Sequence, residues 1–173
     1  MSRHNSLFRC FRHLAARFVD YLTAKPLEPG ERQWVSGWLE ASTMELWERQ
    51  SRADQRHALG VAQVVAESTS RREVVGAALV HDVGKVASNL GVFGRVGATL
   101  AVQVFGYERV AKQTKFRRWN QYLHHPEIGA TLLEAHGAVP ELVVWAREHQ
   151  RQHPEAPCFS AEEVALLVEA DDD

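Results

Sequence analysis

The amino-acid sequence predicts an all-α fold, and three observations support that prediction. Apolar residues recur at helical spacing in most segments of the chain. Ser51, Ser70 and Ser160 each stand directly before such a segment, where N-caps are expected. A chain of 173 residues with 45% apolar residues is long enough for one main hydrophobic core. We therefore expect a helical bundle built around a single core.

Composition and charge argue against a nucleic-acid-binding, a secreted or a membrane-spanning protein. The net charge of −2 gives the chain no overall attraction to nucleic acid, so we expect no nucleic-acid partner. Cys10 and Cys158 lie far apart without the spacing of metal ligands, which is typical of free thiols in a reducing cytoplasm. The N-terminus lacks a secretory signal pattern, and residues 92–110 carry charges and glycines that make a poor transmembrane span. We therefore expect a cytoplasmic location.

The first 30 residues are predicted to be a unit separate from a main domain at residues 31–173. Residues 6–24 have one apolar face at helical spacing and another face rich in arginine, which predicts an amphipathic helix. Residues 25–30, Lys-Pro-Leu-Glu-Pro-Gly, end that helix and form a linker. The partner of the helix stays open. It could be its own domain, a second copy in a homo-oligomer, another protein, or a membrane surface that the chain would bind peripherally.

The main domain is predicted to consist of helices throughout. Their approximate ranges are 31–50, 52–68, 73–83, 96–105 and 108–122, then a helix opened by residues 124–127 and ended by Gly137, a helix at 141–150, and a last helix capped by Ser160. On the second of these helices, His57 shares a face with Val61, Val64 and Val65. The segment 86–122 has the weakest pattern, because glycines punctuate it and a basic cluster follows that is typical of a solvated helix face.

Residues 74–85 place two ionisable side chains at the end of an apolar helix. An apolar run at residues 74–80 ends in the ionisable pair His81-Asp82, and Gly84 and Lys85 follow. Because the helix 73–83 is apolar on nearly all sides, it should be buried, and Gly84 should take the left-handed position that closes it. Burial of an imidazole and a carboxylate costs free energy unless something pairs with them. The sequence therefore predicts a partner for His81 and Asp82.

Six ionisable residues lie on otherwise apolar helix faces or at a helix start. They are His57, His81, Asp82, His125, His149 and Asp171. A single buried histidine is usually explained by a hydrogen bond to a backbone carbonyl. Six such residues from separate helices are explained together if they converge on one or two divalent ions, because imidazole and carboxylate suit such metals. The sequence therefore predicts a centre for Mn, Fe, Mg or Zn.

The order of these residues resembles the HD superfamily of metal-dependent phosphohydrolases. Those proteins take ligands from a histidine on one helix, a His-Asp doublet on the next and a distant aspartate, which match His57, His81-Asp82 and Asp171. Residues 81–85, His-Asp-Val-Gly-Lys, are similar to the HD-x-G-K subgroup, which includes the HD-GYP cyclic-dinucleotide phosphodiesterases. In that subgroup two further histidines help to bind a second metal, at the places of His125 and His149. The resemblance covers about residues 52–173, without the Gly-Tyr-Pro loop of HD-GYP proteins.

The resemblance implies a helical HD domain that hydrolyses a phosphoester of a nucleotide or cyclic nucleotide. It implies catalytic roles for Asp82, which also binds metal, and for Lys85, which would hold a phosphoryl oxygen. It favours His125 over its neighbour His124 as a ligand. A second hypothesis is a non-catalytic HD module that binds metal or nucleotide and regulates a partner, and Gln150 in place of a histidine would suit that role.

Overall fold

The computed structural model describes residues 23–106, 109–110 and 116–172 of the chain. Every regular element in these residues is a helix, which confirms the predicted all-α class. The predicted amphipathic helix at residues 6–24 lies almost wholly outside the described residues, and so does most of the first half of the predicted helix 108–122. The division of the chain near residue 30 stays a prediction.

The described elements follow one another along the chain with short connections. They are α1 Pro29–Trp38, α2 Ala41–Glu48, α3 Arg52–Ser68, α4 Arg72–Val80, a 3₁₀ helix at Val83–Ala87, α5 Val92–Phe105, α6 Arg117–Leu123, α7 His125–Ala135, α8 Pro140–Glu148 and α9 Ala161–Asp172. None of these helices is both long enough and apolar enough to cross a bilayer.

Helix α4 forms the centre of the bundle. Every residue from 74 to 85 is buried, as the apolar run predicted. Helices α1, α3, α8 and α9 pack around α4, while α7 packs on α8 and on the 3₁₀ helix. Each fully buried Val or Leu side chain contributes about 1.5–3 kcal/mol through the hydrophobic effect. The end of α4, where the ionisable pair lies, is therefore held at a fixed place inside the core.

Two predicted caps and one predicted stop are confirmed. The Ser51 hydroxyl accepts a hydrogen bond of 3.2 Å from the Asp54 N–H at the start of α3. At α9, the Ser160 hydroxyl accepts from the Glu163 N–H at 3.2 Å, and the Glu163 carboxylate accepts from the Ser160 N–H at 2.8 Å. This reciprocal pair is a capping box. Gly137 follows α7 with a φ of 71°, a left-handed conformation that glycine adopts without steric cost.

The predicted role of Gly84 as a left-handed helix stop is wrong. Helix α4 ends at Val80, and Gly84 lies inside the 3₁₀ helix without a positive φ. The residue must be small for a different reason. A Cβ atom at Gly84 would lie 2.0 Å from the carbonyl oxygen of His125 and 2.6 Å from the backbone nitrogen of Gly129. Glycine is therefore required because the backbones of the 3₁₀ helix and α7 touch.

The predicted helix 31–50 is divided into α1 and α2. Leu39 has extended backbone angles, φ −102° and ψ 149°, and its side chain is buried. The break lets Val35 on α1 and Trp47 on α2 both enter the core. Gly37, two residues before Leu39, is the nearest local signal for this break.

Two smaller predictions are also wrong. The N-cap position of α4 belongs to Arg71 and not to Ser70, and the Arg71 N–H donates a hydrogen bond to the Thr69 hydroxyl at 3.1 Å. Helix α5 begins at Val92, about one turn before the predicted start.

Candidate metal centre

The structure brings all six predicted residues to one place. His57 lies on α3, His81 and Asp82 follow the end of α4, His125 begins α7, His149 caps α8, and Asp171 lies in the last turn of α9. They form two groups of three, and the donor atoms of each group lie within 4.8 Å of one another. The first group is His57, His81 and Asp171. The second is Asp82, His125 and His149.

The first group, which we call the open group, lies at the edge of the protein. One carboxylate oxygen, Asp171 Oδ1, lies 2.9 Å from His57 Nε2 and 3.5 Å from His81 Nε2. The side chains of His57 and Asp171 are 30% and 29% exposed, whereas that of His81 is only 2% exposed. Solvent can therefore reach this group from one side.

The second group, which we call the closed group, is buried. Asp82 Oδ1 lies 3.1 Å from His125 Nε2 and 3.6 Å from His149 Nε2. The three side chains are between 2% and 4% exposed. The other Asp82 oxygen, Oδ2, lies 3.4 Å from His81 Nε2, so Asp82 joins the two groups.

Three histidines are oriented by the same local device. The Nδ1 of His81, His125 and His149 lies 2.7–2.9 Å from the backbone carbonyl oxygen three residues earlier. A carbonyl only accepts, so Nδ1 carries a hydrogen, and the Nε2 of the neutral ring directs its lone pair toward the carboxylates. None of the three buried Nε2 atoms has a hydrogen-bond partner. Lone pairs on nitrogen and carboxylate oxygen that face each other repel, and a cation between them removes that repulsion.

The electrostatics of the site also favour a cation. Burial by itself would lower the pKa of His81, but the nearby Asp171 and Asp82 carboxylates raise that pKa to about 10. Burial would raise the pKa of Asp82, but Lys85 and His81 hold it well below its usual range. Burial lowers the pKa of His125, which favours the neutral imidazole that binds metals. The two carboxylates that hold a proton on His81 would equally attract a divalent ion of the predicted kind in its place.

Lys85 lies beside the closed group, on the 3₁₀ helix. Its ammonium donates a hydrogen bond to Asp82 Oδ2, and its side chain is 10% exposed. Burial would lower the pKa of Lys85, but the Asp82 carboxylate raises it. Lys85 therefore keeps its positive charge inside the protein, next to the site.

The contact between the 3₁₀ helix and α7 sets the position of His125. Gly84 and Gly129 both lie at this contact, where a Cβ on Gly129 would lie 3.1 Å from the Gly84 nitrogen. Pro126, in the first turn of α7, is compatible with a helix start directly after His124. The backbone of His125 is thus placed by the same glycine that follows the His-Asp pair.

An ion pair lies beside the site, and sequence reasoning did not identify Asp54 as the partner of Arg95. Asp54, one turn before His57 on α3, accepts two hydrogen bonds from the Arg95 guanidinium at 2.5 and 2.9 Å. The Arg95 guanidinium also lies 5.8 Å from the centre of the Tyr122 ring, and the Tyr122 carbonyl accepts from His125. The position of Asp54 three residues before His57 was the one sequence signal that it lies near the site. That signal is weak, because acidic residues are common in the first turn of a helix, where they interact favourably with the helix dipole.

The sequence preferred His125 to His124, and the structure places the two differently. His125 lies in the closed group, whereas the His124 side chain is 40% exposed and lies 3.9 Å from Glu127. The metal-binding role of the six residues stays a prediction, and so do the catalytic roles of Asp82 and Lys85.

Comparison with known proteins identifies the family. The family model described as HD domain matches residues 55–172, which is most of the chain and runs from α3 to α9. No curated protein and no solved structure matches the chain. The matched range contains all six residues of the metal centre. The chain therefore belongs to the HD domain family.

Proposed function

We propose that this protein is a metal-dependent phosphohydrolase or phosphodiesterase that acts on a nucleotide or cyclic nucleotide. The observation that carries the proposal is the set of three buried Nε2 atoms without hydrogen-bond partners, facing two ionised carboxylates. That set fits one or two divalent ions. The His-Asp-Val-Gly-Lys form at residues 81–85 supports placement in the HD-x-G-K subgroup.

In this proposal the residues of each group hold one ion. His57, His81 and Asp171 would hold one ion at the exposed edge, and Asp82, His125 and His149 would hold a second in the interior. Asp82, whose Oδ2 lies 3.4 Å from His81 Nε2, would be a ligand shared by both ions. Bound ions of this kind supply Lewis acidity toward phosphoryl oxygens and toward the attacking water. The chain supplies neutral imidazoles with fixed orientation, and it excludes water from the closed group. A phosphoester would enter from the side of His57 and Asp171, where the site is exposed.

Lys85 is the candidate catalytic residue outside the ligand set. Its ammonium is within hydrogen-bond reach of Asp82 and is held in a buried position. A fixed positive charge beside a reacting phosphoryl group stabilises the negative charge on a non-bridging oxygen. Burial would lower the pKa of Lys85, but Asp82, Tyr122 and Asp54 together raise it, so the ammonium keeps its charge.

A second candidate function is a non-catalytic HD module that binds metal or nucleotide and regulates a partner. The observation in its favour is the ion pair between Lys85 and Asp82. The Lys85 ammonium is bonded to Asp82 Oδ2, one of the two oxygens with which Asp82 could bind a metal ion. Gln150, one residue after His149, is exposed and supplies no imidazole. Turnover distinguishes the two candidates.

The test compares Lys85→Ala with wild type on a panel of linear and cyclic nucleotides, with Mn²⁺ added. We expect Lys85→Ala to keep its metal, measured by elemental analysis, and to lose about 10²–10³-fold in kcat, the usual cost of removing one electrostatic stabiliser. Lys25→Ala is the matched control, because Lys25 is exposed and its carbonyl, which the substitution keeps, is what accepts a hydrogen bond from Arg56 on α3. If metal-replete wild type hydrolyses none of the panel but binds one member tightly, the regulatory module replaces the enzyme.

A further inference from the structure

Large apolar side chains that are mostly exposed concentrate on one part of the described chain. Phe93, Val104 and Phe105 on α5 are 78%, 71% and 61% exposed, and Phe116, directly before α6, is 71% exposed. Elsewhere in the described residues the exposed large apolar side chains are single and less exposed, at 43% for Val64 and 42% for Val139. Scattered apolar residues are ordinary on a surface, but a concentration of this kind marks an interaction site.

Helix α5 is anchored by the face that carries Arg95 and Ala98. Arg95 forms the ion pair with Asp54 on α3, and Ala98 is fully buried. Phe93 and Val104 lie eleven residues apart, which is about three helical turns, so they share the opposite face. The Trp119 ring of α6 lies against Gly97 in the middle of this face, and Phe93 and Val104 near its two ends remain exposed.

The same part of the chain is strongly basic. Residues 92–118 contain six Lys and Arg residues and one Glu, a net charge of +5 in a chain whose total is −2. Arg109, Arg117 and Arg118 are exposed in the described structure. Exposed phenylalanines beside exposed arginines are the pattern of a surface that lies at a lipid interface, where apolar groups enter the acyl region and arginines meet anionic headgroups.

We infer that this protein docks on an anionic membrane surface through α5 and the residues after it. The α5 surface consists of Phe93, Val104, Arg109, Phe116, Arg117 and Arg118. A second copy of the chain is a poorer occupant, because a symmetric contact would bring the same arginines of two copies together. Helix α5 would lie along the surface, since no described helix is suited to cross a bilayer.

This surface differs from the predicted amphipathic helix at residues 6–24, and it does not depend on the proposed hydrolase activity. The anchor of α5, Asp54, is one turn from His57. Docking would therefore hold the open group of the metal centre at a fixed distance from the lipid.

The test is co-sedimentation of the full chain with two kinds of vesicle, phosphatidylcholine alone and phosphatidylcholine mixed with phosphatidylserine. We expect binding to the mixed vesicles that weakens as salt is added. Val104→Ser should lower the partition coefficient about fivefold or more, because a valine side chain leaves the acyl region. Val64→Ser is the matched control, since it makes the same change on another exposed helix position, and it should have no effect.

A second pair of variants tests the charge. Arg117→Glu with Arg118→Glu should lower the partition coefficient at least about tenfold on the mixed vesicles. Arg49→Glu with Arg52→Glu makes the same change of charge at exposed positions outside the α5 surface, and binding should be retained. Equal binding to both vesicles, or binding that Val104→Ser and the Arg117/Arg118 variant leave intact, would overturn the inference. A wild-type dimer that Val104→Ser converts to a monomer in light scattering would assign the surface to a second copy and overturn it as well.

Discussion

The open and closed groups of the metal centre use the same kinds of donor atom in different surroundings. In the open group, His57 and Asp171 are 30% and 29% exposed, whereas the closed-group side chains are between 2% and 4% exposed. His125 and His149 are each fixed by an Nδ1 hydrogen bond to their own helix. Asp171 lies in the last turn of α9, a place where helices fray. The closed group is therefore built into the core, whereas the open group lies where a substrate can reach it.

Asp82 is the residue that connects the two groups, so changing it gives the largest expected effect. With Asp82→Asn we expect loss of metal from both groups, because the amide no longer carries the charge that faces three histidines. The Lys85 ammonium would also be left in a buried position without its anion, and breaking such a pair costs about 3–5 kcal/mol. Elemental analysis and urea unfolding are the measurements.

A control variant separates the loss of the Asp82 charge from a general effect of changing a carboxylate to an amide. Glu127→Gln makes the same chemical change at an exposed carboxylate in α7 and should leave metal content and unfolding near wild type. Asp82→Asn protein with a full metal content would refute the assignment of Asp82 as the shared ligand.

Changing one histidine in each group tests whether the open and closed groups each hold their own ion. His149→Ala should lose the interior ion and keep the one at the edge, while His57→Ala should do the reverse. The ion in the closed group should also exchange more slowly, because its surroundings exclude water and its histidines are fixed. Metal stoichiometry and the rate of metal removal by a chelator measure both effects. Loss of both ions in either variant, or equal rates of metal removal in the two variants, would mean that the groups act as one site.

The sequence predicted much of the fold and the ligand set, because those depend on patterns that are local. Apolar spacing marked the buried helix that ends in His81-Asp82, and Ser51 and Gly137 marked helix ends that the structure confirms. Family resemblance supplied the order of the ligands. These signals can be read along the chain without knowledge of which helices touch.

The features that could not be predicted depend on contacts between distant residues. Gly84 was read as a helix stop, but its real constraint is the His125 carbonyl on another helix. The break at Leu39 has only a weak local signal, because a single glycine such as Gly37 is tolerated inside a helix. The separation of the ligands into an open and a closed group also arises only when α3 and α9 meet.

The smallest expected effect concerns the Asp54–Arg95 pair, which supports the open side of the centre. Burial would raise the pKa of Asp54, but the hydrogen bonds from Arg95 outweigh it and the pKa is lowered. Because the pKa is lowered in the folded state, the pair stabilises the protein fully above the unfolded pKa of about 3.9. This stability is lost as the pH falls through the folded pKa.

Asp54→Asn should therefore lower the free energy of unfolding at neutral pH by about 2 kcal/mol, typical for a hydrogen bond to a charged group. The difference from wild type should shrink in urea unfolding below about pH 4. Glu67→Gln, at an exposed position on the same helix, should show neither effect, and a difference for Asp54→Asn that stays constant down to low pH would mean that the carboxylate acts by packing and not by its charge.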